Sequence, residues 1–180
     1  MKRMICLILP VFLLLPLLAG CSSETPPQKP VDFYYPVEAI YTENYSEGAD
    51  GHSSPVIRSE AAESLGHEND YAYLLNLYFR GPRDHSLHNP FPKNLTVVDL
   101  RLSGPTFVVT VSREFADLMG IDLTIAASCI AKTVQGLTGL NTTQLEAQGA
   151  TLDGSSQITI SCDRLLEQDT VPETTASNEP

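Results

Sequence analysis

"NLTVVDLRLSGPTFVVTV", residues 94–111, is the stretch whose reading decides the fold. Val98, Leu100 and Leu102 alternate with Asp99, Arg101 and Ser103, so one face of the run is apolar and the other polar. Phe107, Val109 and Val111 repeat the pattern after Ser103-Gly104-Pro105. A period of two is the signature of a strand. Two such runs across a tight glycine turn predict an antiparallel hairpin.

Working outward, Tyr71, Leu74, Leu75 and Tyr78 fall at i, i+3, i+4 and i+7 and predict a helix over Asn69–Arg80. Asn69 or Asp70 caps its start, Gly81 offers a left-handed end and Pro82 forbids continuation. Ahead of it, Val31–Tyr35 is β-branched and aromatic and reads as a first strand. Residues 43–54 read as a loop, 56–60 as a weaker strand, and 61–66 as either helix or loop. Beyond the hairpin, Ser112 closes the strand and caps a short turn through Phe115. Asp122 then caps a longer helix to about Leu137, burying Ala126, Cys129, Ile130, Val134 and Leu137. Gly136 and Gly139 punctuate it, and short strands follow around 143–148 and 157–162. The order ββ-α-ββ-α-ββ predicts an α+β two-layer domain, with two helices packed on a mixed or antiparallel sheet.

"RGPRDHSLHNPFP", residues 80–92, separates the helix from the hairpin and carries Asp84-His85-x-x-His88. Two histidines at i, i+3 suit a metal only where further ligands converge, and no such set has a recognisable spacing elsewhere. We read the stretch as a connecting loop, whose Arg80, Arg83, His85 and His88 form a candidate basic contact on an acidic molecule. His52 and His67 read as solvated. No phosphate loop, dinucleotide fingerprint, G-x-S-x-G or H-E-x-x-H is present, so no cofactor, metal or catalytic residue is assigned.

The two ends carry addresses. Lys2 and Arg3 precede an apolar run from Met4 to Ala19, too short and too broken by Pro10 and Pro16 to span a bilayer well. Leu18-Ala19-Gly20-Cys21 resembles the bacterial lipoprotein box, which makes residues 1–20 a signal peptide and Cys21 the acylated N-terminus. Residues 21–30 are a proline-rich tether at about 3 Å per residue, 31–163 the domain, and 164–180 an acidic tail with the composition of disorder. The net charge of −11 falls to −13 once Lys2 and Arg3 leave with the signal. Such a surface repels nucleic acid and anionic lipid. Sequons at Asn44, Asn94 and Asn141 mean little behind a bacterial lipobox. With Cys6 removed and Cys21 acylated, Cys129 and Cys162 remain. They are either two buried thiols or a disulfide, which an exported protein retains.

Several of these features together resemble a family. Gly81-Pro82, Phe91-Pro92, Ser112-Arg113-Glu114-Phe115, Thr133-Val134 and Gly149 match the recurrent pattern of the GerMN domain, over about residues 31–162 and in a single copy. The resemblance implies a part in sporulation or spore germination by assembly or binding, with no catalytic residue to carry over. It also implies a similarity to ring-building envelope modules. The expectation is a non-enzymatic lipoprotein on the extracytoplasmic face of the cell membrane, with an envelope or sporulation partner. Self-association through an exposed edge of the first strand, with Tyr34 and Tyr41 at the contact, is part of that expectation. The rival readings are a small hydrolase acting on peptidoglycan and a solute-binding lipoprotein, for which a small two-layer domain leaves little room.

Overall fold

A computed structural model of the chain describes residues 29–37 and 57–165. The signal, Cys21, most of the tether, Tyr41, His52 and most of the acidic tail lie outside the described residues. The elements run β1 (Pro30–Pro36), β2 (Ile57–Glu63), α1 (Tyr71–Tyr78), β3 (Val97–Ser103), β4 (Thr106–Val111), α2 (Gly120–Thr138), β5 (Thr142–Ala147) and β6 (Ile158–Ser161). Single 3-10 turns lie at Arg113–Asp117 and Cys162–Arg164. The α+β class and the expected order hold.

The strands divide into two sheets. β1 and β2 form an antiparallel ribbon, and β3-β4-β5-β6 form a four-stranded sheet in that order. β4 and β5 pair in parallel, and the other neighbours are antiparallel. A parallel pair needs a long crossover, which α2 supplies. Because α2 packs on β1 as well as on β5 and β6, its buried surface is far wider than one stripe. Leu123, Ala126, Ala127, Ser128, Cys129, Ile130, Ala131, Thr133 and Val134 are all buried. Four of these are alanine or serine, small enough for close approach on more than one side.

Three local expectations need correction. First, the β3 face drawn through Val98, Leu100 and Leu102 does not survive, because the register slips between Val97 and Asp99. That bulge puts Val97 and Leu100 against the core and leaves Val98 43% exposed. Second, α2 starts two residues before Asp122 with Met119 at its cap position, so Asp122 sits in the first turn. There its charge complements the helix dipole. Ser112 likewise makes no cap bond to the turn that follows it; its hydroxyl accepts from the Thr96 N–H at 3.1 Å. Third, Ala61–Glu63 continue β2 as strand.

The helix α1 forms as its spacing predicts. The Asp70 carboxylate accepts from the Tyr73 N–H at 2.9 Å, and Leu74, Leu75 and Tyr78 are buried. Tyr78 is the hub of an aromatic cluster, its ring centroid 4.9 Å from that of Tyr35, 4.8 Å from Phe91, 5.2 Å from Phe33 and 5.6 Å from Phe79. Tilted and edge-on pairs of this kind add about 0.5–1.5 kcal/mol each beyond buried area. The Tyr78 hydroxyl donates to the Tyr34 carbonyl at 2.6 Å, and the Tyr35 hydroxyl donates to the Tyr78 carbonyl at 2.8 Å. Burial raises the pKa of both phenols, so they remain protonated donors.

Candidate binding surface

The 80–92 segment is held in place from several directions. Gly81 closes α1 by donating its N–H to the Tyr78 carbonyl at 3.1 Å and takes φ 96°. The Glu60 carboxylate of β2 accepts from the backbone N–H groups of Arg83 and Asp84 at 2.9–3.1 Å. Arg58 reaches the Asp84 carboxylate at 2.7 Å and also donates to the Ser86 hydroxyl. Leu87 forms an isolated bridge to Val37, and the His88 N–H donates to the Pro36 carbonyl at 2.8 Å. The Asn89 side chain accepts from the Phe91 N–H at 3.1 Å, turning the chain so that Phe91 enters the aromatic cluster.

This geometry places the basic candidates. Arg80, Arg83, His85 and His88 are all exposed, but Asp84, Glu60 and Arg58 sit among them, so the local field is mixed. Among the described residues no cluster of His, Cys, Asp and Glu is arranged to hold a metal. The ordinary value of the Asp84 carboxyl is lowered first by its hydrogen bonds to Ser86 and then by Arg58. Glu68, Glu114 and Glu146 are lowered too, by the Ser64 hydroxyl, the Ser112 hydroxyl and Arg101 respectively. Each of these is a paired carboxylate favouring its charge, the opposite of a general acid. His67 is exposed, as expected, and stacks on Tyr73 at 3.8 Å.

The first strand offers no open edge along its middle. Beyond β2, the Tyr34 N–H donates to the Thr133 hydroxyl of α2 at 3.0 Å, while its carbonyl takes the Tyr78 hydroxyl. A helix therefore occupies the place where another strand would add, which corrects the edge expectation for Val31–Tyr35. The side chain of Tyr34 itself is half-buried. Cys129 and Cys162 are both buried, and the disulfide alternative is not realised in the structure. Desolvation pushes the Cys129 thiol up to about 12, as for an inert core cysteine.

Sequence reasoning missed the concavity that these constraints create. A groove of about 580 Å³ lies between Pro36 and Val37 at the end of β1, the His88–Pro92 wall, and Asp117, Leu118, Asp122 and Ile125 around the start of α2. The three walls come from distant parts of the chain, so no local motif announces it. The prolines at 90 and 92 are the nearest signal, since a rigid segment keeps its shape without a partner.

No family model matches the chain, and no curated protein matches it. A crystal structure described as that of a candidate lipoprotein from Clostridium perfringens is similar in part, with TM-score 0.45 and 14% identity over 76% of this chain and 89% of that one. A likeness this weak fixes neither family nor activity.

Proposed function

We propose that the chain is a membrane-anchored envelope lipoprotein whose GerMN-like domain works by binding or assembly, in sporulation or spore germination. The observation that carries the reading is Leu18-Ala19-Gly20-Cys21 behind a charged, apolar leader. Lipid on Cys21 would hold the domain on a tether of roughly 27 Å. No helix among the described residues is long and apolar enough to cross a membrane; the anchor proposed here is the lipid on Cys21. The residues that resemble the GerMN pattern support a scaffold role. Gly81 ends α1, Phe91 and Phe115 are buried, and Thr133 satisfies β1.

Intact mass of the protein purified from membranes tests the anchor. Acyl chains on Cys21 are the expected result, and an unmodified N-terminus at Ser22 or later refutes it. Incubation with labelled cell wall tests the binding reading against the hydrolase. Turnover lost on changing one carboxylate would replace the proposal with a peptidoglycan hydrolase.

A further inference from the structure

We propose that the groove between the His88–Pro92 wall and the start of α2 docks an extended, cationic segment of a partner polypeptide, anchored by apolar side chains. The inference rests on the binding reading above and names the chemistry of its partner.

Shape and rigidity come first. The walls are apolar, with Pro36, Pro90, Phe91, Pro92, Leu118 and Ile125 among the lining residues. They are also fixed in advance, by the bridge of Leu87 to Val37, the His88–Pro36 bond and the Asn89 turn. A preformed groove saves the ordering entropy that binding otherwise costs. Next to it in sequence, Met119 and Ile121 are each 69% exposed, the most exposed of the five exposed large apolar side chains among the described residues. They adjoin the groove-lining Leu118 and Asp122 along the chain, and exposed apolar side chains next to a concavity are candidates for contact with a partner.

Charge then selects the occupant. Asp117 and Asp122 line the groove and no lysine or arginine does. Neither carboxylate has an ion-pair partner among the described residues. The α2 dipole offsets part of the charge near Asp122, and the two carboxylates leave the groove acidic. Within a chain of net charge −11, that field disfavours acidic peptides and draws a basic one. An extended segment with lysine or arginine between leucine or proline residues matches both the walls and the rim.

The test uses the mature chain carrying Cys21→Ser, isotope-labelled, titrated with a short synthetic peptide alternating lysine with leucine and proline. Amide shifts at His88, Phe91, Leu118 and Ile125 are expected, weakening with added salt. The same peptide with glutamate for lysine should bind at least about tenfold more weakly. Asp117→Asn with Asp122→Asn should cost about threefold to tenfold in affinity, as two exposed ion pairs do. Asp117→Asn alone guards against a change in α2 itself. Met119→Ser with Ile121→Ser should weaken binding while leaving the melting temperature unchanged. Equal affinity for the lysine and glutamate peptides, shifts confined to another surface, or no binding at millimolar peptide would each overturn the proposal. A photo-crosslinker at Ile121 and another at Leu102 in the anchored protein separate the two levels. Capture at Leu102 without capture at Ile121 removes the groove and keeps the binding reading; capture at neither removes both.

Discussion

Two Gly-Pro pairs do opposite work in this molecule. Gly81-Pro82 opens the pinned loop after α1, and Gly104-Pro105 makes the turn between β3 and β4. Both glycines hold positive φ, 96° and 59°, where a side chain costs energy. A Cβ on Gly104 would meet nothing within 4 Å, whereas one on Gly81 would meet the Asn89 amide nitrogen at 2.7 Å. Gly104 with proline after it suits a two-residue hairpin of the II′ kind, where glycine takes the first central position. Gly81 has a second task, letting the 89–91 turn pack back on the helix end. The same dipeptide is a solvent pivot in one place and a packed joint in the other.

The largest expected effect lies under the packed joint. Phe91 is buried against Tyr35, Tyr78 and Phe79. Phe91→Ala should cost about 3–5 kcal/mol in urea unfolding. Pro105→Ala, at the exposed turn, should stay within about 0.5 kcal/mol. Similar values for the two would break the contrast between joint and pivot.

Gly81→Ala and Gly104→Ala sharpen it. Each carries about 1–2 kcal/mol of left-handed strain, and only the first adds a clash. Gly81→Ala should therefore be the more damaging by at least about 1 kcal/mol. Part of that excess should vanish in an Asn89→Ala background, a coupling of about 0.5–1 kcal/mol. The Asn89 Cβ would still lie 3.1 Å from the new methyl, so relief is incomplete. Additive costs would mean that Asn89 does not press on this position.

These contrasts show what a sequence can reveal. α1, the β3–β4 turn and the order of elements along the chain were legible because each is written within a few neighbouring residues, as a period, a cap or a Gly-Pro stop. The bulge at Val98 was not, since an extra residue breaks the very alternation used to find the strand. Nor was the separate β1–β2 ribbon, because α2's small residues read locally as one buried stripe. Those residues let the helix lie against β1 and close the edge from which strand addition was expected. The groove was illegible for a related reason. Asp117 and Asp122 resemble ordinary acids at helix ends, and only the approach of Pro36 and Phe91 makes them a rim. In the 80–92 segment the polar residues were legible as a loop, but Glu60, the side chain that pins it, lies on β2.

The smallest expected effect separates the same two regions by pH. Asp84 is exposed, with 45% of its side chain accessible, and its carboxyl is held below the ordinary value on folding, first through Ser86 and then through Arg58. A carboxylate lowered in this way adds stability that is complete above its unfolded value. That stability is lost as pH falls through the folded value. The bonds concerned are local: the Asp84 carboxylate accepts from the Ser86 N–H at 2.8 Å and from its hydroxyl at 2.7 Å. Below about pH 4, the Ser86 amide should lose protection from hydrogen exchange beyond the intrinsic pH dependence. Amides flanking Gly104-Pro105 have no comparable carboxylate bond and should keep theirs. Ser86→Ala should abolish more of the effect than Arg58→Met, because the hydroxyl outweighs the guanidinium as a cause. The reverse order would make the loop chiefly an ion-pair structure, and high salt would then loosen it as acid does.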